Sequence, residues 1–490
     1  MAKNSIPSKK AFLFIPYTII ITPQVAKSTP INEVFLSFPD LFRDQRNSMD
    51  YIFWVFLMWE KTKGQDSFYN PYFNIIRKPE ILSDWTDDEL NELQDPFLFL
   101  KAKKYYKDIL DIYDSLIPVF NKFPQYFPLE SERFELFYWA LKIVYTRAFA
   151  QGEGMLIPLA DHLNHEDVCV DYITLSLEFL QTKSITGALL NDYKDFTGVS
   201  QTSNALMKTR THKNRLEKYL TWFDNEKICD MSAIWEIDQI LTDLESSSDE
   251  EDPICKWTSE ESSESVGDEF DLHFDPTDKY FVMRTKDKGS FKAGQQIFNC
   301  YGRLSNFDML LDYGFCIFPN RYDSVHLRLY KGKLINVSHI NNKKKFKTFN
   351  LKNEQLNLKL LSYIRKRYRN KDSYKTLLNT VNEEIKLINY VKNMIEEAYQ
   401  IYPTLLEYDK ELLNQKNHYR FGFAISYRVS QKSIIVNQIN VLERLLEVLN
   451  KIENGATVRE AHWTEKSVKK SKEMYPLRAY LYRLEYGELW

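Results

Sequence analysis

Between about residue 243 and residue 278 the sequence stops resembling the interior of a folded protein. SSSDEED and SEESSESVGDEF set serines beside carboxylates with almost no compensating base. Such a stretch buries too little apolar surface to offset the entropy of ordering it, so disorder is expected there. Any domain this chain builds must be assembled from segments on both sides of a long acidic interruption. Serines such as Ser246 to Ser248 precede acidic runs and are candidates for phosphorylation, although a solvated insertion with no dedicated role is the plainer reading.

Upstream, AFLFIPYTIII at 11 to 21 follows Lys9 and Lys10 and superficially imitates the apolar part of a secretory signal. Pro16 and Tyr17 interrupt it, no small-residue cleavage pattern is obvious, and it falls short of the roughly 20 apolar residues that span a bilayer. It is predicted as a buried strand. Ser28 to Phe42 reads as a short helix and turn, and a largely helical region follows. TDDELNEL from Thr86 carries a capping-box signature, with Glu89 as its partner. Residues 131 to 148 repeat apolar side chains at Phe134, Phe137, Tyr138, Leu141, Val144 and Tyr145, one face of a helix that ends beside Arg147 and Phe149.

Downstream of the interruption, YFVMRTKDKGSFKAGQQIFNCYG at 280 to 302 predicts two paired strands joined across a Gly289-to-Gly294 turn. From about 320 the pattern is helical. An amphipathic run passes through Ile435, Ile439, Leu442, Leu445, Leu446 and Leu449. The basic stretches KKKFK and YIRKRYRNK read as a solvated helix face rather than a nucleic-acid site, because no recognisable nucleic-acid module accompanies them. There is no internal repeat.

Length and charge narrow the class further. The chain has 490 residues, 44% hydrophobic and 27% charged, with a formal net charge of -3, so it has room for two or three domains and no global bias toward nucleic acid or an acidic membrane. Cys169, Cys229, Cys255, Cys300 and Cys316 form no CxxC pair, as expected of reduced thiols in the cytoplasm or nucleus.

Two blocks carry the functional signal: LIPLADHLNH at 156 to 165, just after the turn Gly152-Glu153-Gly154, and IFNCYGRLSNFDMLLDYGF at 297 to 315. Their order, with Tyr-Gly-x-x-Ser-Asn followed by Leu-Asp-Tyr-Gly-Phe, resembles the SET-domain methyltransferases of the Rubisco large-subunit lysine methyltransferase and actin-histidine methyltransferase group. YRVSQKSIIVNQINVLERLLEVL from Tyr427 is similar to part of that group's terminal domain.

The resemblance implies an α+β chain: a SET-domain β-fold with inserted helices, then an α-helical C-terminal substrate-binding domain. On this reading residues 1–41 open the SET domain, 42–148 form a helical insertion, and 149–175 with 279–318 complete the SET core. Residues 176–278 are a second insertion, acidic at 243–278, and 319–490 form the helical substrate-binding domain. The implied cofactor is S-adenosyl-L-methionine, contacted by Asn164, His165, Arg147, Tyr301 and Phe315, with Phe315 beside the adenine. Tyr301 is the implied catalytic residue, and Tyr313, Phe149 and Ala160 line the substrate side. The implied partner is a protein substrate, with no specific nucleic acid, no membrane and a monomeric chain.

The chemistry accounts for these residue types. A lysine side chain has an ordinary pKa near 10.4, so only about one in a thousand is a neutral nucleophile at physiological pH. Burial in an aromatic channel beside a positive sulfonium penalises the ammonium form. Tyrosine hydroxyl and backbone carbonyls can then aim the lone pair at the methyl carbon, so catalysis is mainly positioning and electrostatics. Actin-histidine enzymes carry an asparagine two residues after the arginine, where this chain has Phe149, and a tryptophan before the Asp, where it has Ala160. Both favour lysine over histidine as acceptor.

Other readings stay open. His162-x-x-His165 has helical metal-ligand spacing but no third ligand at a suitable distance, so no metal is expected. SET enzymes normally begin with a Gly-x-Gly-like turn that lets backbone approach the cofactor, yet the only glycine before Gly152 is Gly64. Either that turn lies upstream of this sequence, or another backbone substitutes, or cofactor binding is weak or lost. The last case makes the chain a SET-like scaffold that holds a polypeptide without methylating it.

Overall fold

The computed structural model describes residues 1–8, 10–42, 48–149, 154–176, 279–286, 289–335, 346–353, 356–368, 380–415, 418–463, 477, 480, 481 and 484. The acidic segment 243–278 with its serines, Gly152 and Glu153, Cys229, Cys255 and Lys343 to Lys345 lie outside the described residues. The chain divides into two compact units: Met1–Phe53 with Arg147–Cys300, and Trp54–Thr146 with Tyr301–Trp490.

In the first unit β1 (Ala11–Pro16), β2 (Val170–Ser176) and β3 (Lys279–Thr285) form an antiparallel sheet in the order β1-β3-β2. The strand expected over 11 to 21 ends at Pro16, where the missing N–H interrupts a ladder; Tyr17–Ile19 form a 3-10 turn and Ile21 then pairs with Leu156. Ser28 to Phe42, expected as a helix and turn, lies among three short helices, α1 (Pro23–Lys27), α2 (Asn32–Ser37) and α3 (Pro39–Phe42).

The hairpin expected over 280 to 302 does not form. β3 lies between two partners instead, with Val282 opposite both Phe14 and Ile173. The consecutive residues Phe281, Val282 and Met283 explain this: all are 0% exposed, and a continuous apolar run demands cover on both faces, as a central strand has. The segment after Gly289 pairs elsewhere, Phe291 with Ile6 and Asn299 with His165. Ile15, Ile20, Phe149, Ile157, Ala160, Phe281 and Met283 share the core of this unit.

α4 (Ser48–Thr62) is buried on every side from Tyr51 to Glu60, as a helix apolar all round must be. α5 (Asn70–Ile75), α6 (Asp87–Asn91), α7 (Pro96–Lys122) and α8 (Glu130–Arg147) follow. The capping box at α6 is present: Glu89 N–H donates to Thr86 Oγ1 at 3.3 Å and Thr86 N–H to Glu89 Oε2 at 2.8 Å. α8 matches the helix read from 131 to 148, with Phe137, Leu141, Val144 and Tyr145 buried.

In the second unit α9 (Asn306–Tyr313) is followed by an antiparallel sheet that the helical reading from 320 missed. β4 (Ser324–Tyr330) lies between β5 (Lys333–Leu334) and β6 (Lys347–Lys352). The signal is the strict alternation in SVHLRLY, where Val325, Leu327 and Leu329 are buried and His326, Arg328 and Tyr330 are only partly so. Then come α10 (Leu358–Tyr368), α11 (Val381–Tyr399), α12 (Leu406–Leu413), α13 (Tyr419–Glu453) and α14 (Val458–Trp463). Ile435, Leu442, Leu445 and Leu449 of the amphipathic run are buried in α13.

Two charged clusters inside this unit depart from a solvated surface. Arg365, read as part of a solvated face, donates to both carboxylate oxygens of Glu384 at 2.8 Å, and Tyr480 Oη donates to the same carboxylate. Lys432 and Asp409, both with 0% exposed side chains, form an ion pair that also takes in Arg428. Lys432 Nζ donates further to Gln94 Oε1 and the Thr404 carbonyl, so its buried ammonium is hydrogen-bonded as well as paired. Among the described residues no helix is long and apolar enough to cross a membrane.

Candidate functional site

α8 delivers Arg147 to the edge of the first motif. Its Nη1 donates to the Asp161 carbonyl oxygen at 3.0 Å and to Asp161 Oδ2 at 3.3 Å. Asp161 sits in a 3-10 turn (Ala160–His162) that begins at Leu159, whose φ of 74° is unusual for a side chain branched beyond Cβ. The LIPLADHLNH segment is thus a bridge at Met155 and Leu156, a strained turn and a second bridge at His165, rather than a strand. Arg147 Nε is buried and has no hydrogen-bond partner among the described residues.

Asn164 and His165 are fixed by Asn299. Asn299 N–H donates to the Asn164 carbonyl at 2.9 Å, and Glu166 N–H donates to the Asn299 carbonyl at 3.1 Å. The two sequence motifs therefore meet as a parallel backbone bridge, two residues before Tyr301 in the chain. This commits the Asn164 carbonyl and leaves its side chain exposed. Burial pushes the His165 imidazole below its ordinary pKa, against the opposing hydrogen bond to the Asn299 backbone and the Asp167 carboxylate. His162 is likewise pushed down by burial, with Asp161 opposing and Arg147 assisting. Among the described residues no group of three or more His, Cys, Asp or Glu could hold a metal ion.

Tyr301, Tyr313 and Phe315 come together in the second unit. The Tyr301 and Tyr313 rings lie 5.1 Å apart, Phe315 is 6.5 Å from Tyr301 and 6.1 Å from Tyr313, and Phe423 of α13 extends the cluster. α9 is held at both ends. Ser305 caps it through Asp308 N–H, while the buried Asn306 donates to Asp323 from its backbone and side chain and accepts from Ile317 N–H. At the far end Gly314 has φ 72°, and a Cβ there would stand 2.3 Å from the Glu80 carbonyl oxygen. Only glycine admits that approach, which explains the Tyr-Gly-Phe spelling. Glu80 in turn accepts from Tyr419 Oη and pairs with Arg420 at 3.1 Å.

The candidate residues are thus distributed. Arg147, Asn164 and His165 belong to the first unit, and the aromatic trio belongs to the second. Phe149 and Ala160 are core residues of the first unit, 7% and 0% exposed, and Phe149 packs edge-on against Tyr172 and Phe281 at 5.2 and 5.3 Å. Reading the sequence assigned no role to Asp161, Asn299 or Glu80. Asp161 had a usable signal, a carboxylate inside an apolar segment that must find a cation if buried. Asn299 acts through its backbone, and Glu80 meets Gly314 through its carbonyl and Tyr419 and Arg420 through its carboxylate; residue type gives no cue to either backbone contact.

Comparison with known proteins agrees with this architecture. Residues 330–435 match the Rubisco LSMT substrate-binding family model. Comparison with curated proteins finds no match. Among solved structures, Rubisco LSMT bound to AdoMet is 18% identical with a TM-score of 0.53, over 93% of this chain and 87% of that one. The SET domain of LSMT bound to methyllysine and AdoHcy is 18% identical with a TM-score of 0.53, over 96% and 88%. The same domain bound to lysine and AdoHcy is 18% identical with a TM-score of 0.51, over 92% and 86%. The chain has the mixed fold of the LSMT SET domain, and its C-terminal region carries the matching substrate-binding domain.

Proposed function

We propose that this chain is a protein methyltransferase that transfers a methyl group from S-adenosylmethionine to a lysine side-chain nitrogen of a non-histone protein. The observation that carries this reading is the backbone bridge of Asn164, His165 and Glu166 to Asn299, which knits the two motifs together two residues before Tyr301. Solved structures that share the fold hold AdoMet or AdoHcy, and two hold methyllysine, one of these beside sinefungin.

The donor set of the first unit fits such a cofactor. Arg147 offers a buried Nε donor with no acceptor among the described residues, suited to a carboxylate or carbonyl. Asn164 keeps an exposed carboxamide while its main chain is fixed, and burial disfavours the charged form of the His165 imidazole, as would suit a neighbouring sulfonium. The cofactor would supply a methyl group on a sulfonium sulfur that departs as a neutral thioether. By the resemblance, we assign Phe315 to the adenine.

The remaining work falls to the tyrosines. Tyr301 accepts a proton-bearing amine at its hydroxyl and turns the lone pair toward the methyl carbon, and Tyr313 narrows the passage and excludes water. The lost proton passes to solvent. Phe149 and Ala160, core residues that stand where the histidine enzymes of the group carry asparagine and tryptophan, offer no polar partner to an imidazole, which favours lysine over histidine. The boundaries we assign are those of the resemblance: SET segments at 1–41, 149–175 and 279–318, insertions at 42–148 and 176–278, and the substrate-binding domain over 319–490. Cys169, Cys300 and Cys316 form no disulfide among the described residues, and we take the chain to be a monomer of the cytoplasm or nucleus.

A scaffold without transferase activity draws on one feature. The segment before β1 holds no glycine, and Ala2 and Ile6 are already paired with Gly294, Gln295 and Phe291. Matched peptide libraries that differ only in carrying lysine or histidine, incubated with S-adenosylmethionine tritiated on the methyl group, test the proposal. Label is expected in the lysine set alone; label in the histidine set alone reverses the acceptor, and label in neither leaves the scaffold.

A further inference from the structure

From Ser324 to Lys371 the sequence carries fourteen lysines and arginines and a single carboxylate, Glu354, in a chain whose formal net charge is -3. The fold gathers part of this charge into one place. Lys347 of β6 and Arg367 of α10 lie over the same Tyr363 ring, at 5.4 and 5.2 Å from its centre. The turn carrying Lys331 and Lys333 lies against Arg367, since a Cβ on Gly332 would stand 3.1 Å from Arg367 Cδ. Lys331, Lys333, Lys347, Lys366 and Arg367 are all exposed, and none forms an ion pair with a carboxylate among the described residues.

A bland account covers half of this. β5 and β6 are the edges of a three-stranded sheet, and lysines on edge strands prevent pairing with another chain. That accounts for Lys333 and Lys347 but not for Lys366 and Arg367, which stand on a helix. Like charges crowded together destabilise the fold, and nothing in the unit's packing requires them there.

We propose that this face, the β5-β4-β6 sheet with the end of α10, is a docking surface for an acidic stretch of a partner polypeptide. It rests on the proposed function only in taking that partner to be the protein substrate. Two features favour polypeptide over nucleic acid. Four of the five exposed cations are lysines, point charges that lack the bidentate fork of arginine for phosphate. The tyrosines among them carry cations on their rings, Tyr363 under Lys347 and Arg367 with Phe349 packed at 5.2 Å and Tyr330 under Lys331 at 5.5 Å, which takes up faces on which a base could stack.

Fluorescence anisotropy on the full chain tests this, with fluorescein-labelled poly-glutamate and an oligothymidylate of equal charge as probes. Poly-glutamate should bind, with affinity falling as salt rises, and should bind more tightly than the oligothymidylate. The combined variant Lys331→Glu, Lys333→Glu, Lys347→Glu and Arg367→Glu should weaken it about tenfold or more. Reversal of Lys27, Lys78, Lys104 and Lys107, which are exposed and carry the same total charge, should leave it within about twofold of the unaltered chain. Should the reversed patch fail to fold, glutamine at the same four positions gives the same test. No poly-glutamate binding, binding that survives the patch variant, or tighter oligothymidylate binding each overturns the proposal. S-adenosylmethionine affinity measured on the same samples separates the two readings: a chain that binds poly-glutamate but no cofactor sinks the proposed function and leaves this surface standing.

Discussion

Arg147 holds Asp161 twice, through the carbonyl oxygen at 3.0 Å and the carboxylate at 3.3 Å, and the Asp161 side chain is 0% exposed. Arg147→Ala would leave that carboxylate in apolar surroundings without its guanidinium. The expected cost is about 3 kcal/mol in urea unfolding. Asp161→Ala alone should also be costly, and the double variant should recover at least about 1 kcal/mol of coupling. Additive losses would show that the pair is incidental.

Gly314 caps α9 in a left-handed conformation directly beneath the Glu80 carbonyl. Alanine there meets both a backbone penalty and a clash with main chain that cannot swing away, so Gly314→Ala should cost about 2 kcal/mol or more. Since Tyr313 and Phe315 flank this residue, methyl transfer should fall and cofactor affinity with it. A variant as stable as the parent would show that the Glu80 carbonyl does not close on Gly314.

Legibility in the sequence followed the range of the interactions. α8, the α6 capping box and the buried face of α13 could be read because each is set by residues three or four apart. β1 was legible as an apolar run, but the run was read on to residue 21 although Pro16 ends the strand. The sheet β5-β4-β6 was obscured because the lysines around SVHLRLY look like the outside of a helix. The partners of β3 were hidden altogether: Val282 meets Phe14 and Ile173 only after the long insertion has been bridged. Of the candidate site, the motif residues themselves could be named, but Asn299 and Glu80 became visible only when distant segments met, and Asp161 only when Arg147 was seen to reach it.

Asp312 supplies a pH signature. Burial, with the Asp308 carboxylate nearby and Lys101 opposing, pushes its carboxyl up to about 7. In the unfolded chain it returns to the ordinary 3.8, so between these values folding takes up a proton. Its contribution is therefore greatest below the lower value, declines as pH rises through this window and is flat above the upper one. Asp312→Asn should remove that decline: the difference in unfolding midpoint between variant and parent should grow in favour of the variant from pH 5 to pH 7.5 and then level off. A constant difference would show that Asp312 titrates normally.

Tyr301 is assigned the orientation of the acceptor amine. Tyr301→Phe keeps the ring that packs on Tyr313 and Phe315 and removes only the hydroxyl. The turnover number should fall about a hundredfold, with the dissociation constant of S-adenosylmethionine little changed. Equal activity would return Tyr301 to the role of a packing residue.

The central claim is that the arginine, asparagine and histidine gathered in the first unit hold a methyl donor. Isothermal titration of the full chain with S-adenosylmethionine tests it most directly, with Arg147→Ala and Asn164→Ala alongside. The account predicts a single saturable site whose affinity falls about tenfold or more in each variant. Absence of binding at millimolar cofactor, or binding indifferent to both substitutions, would contradict it.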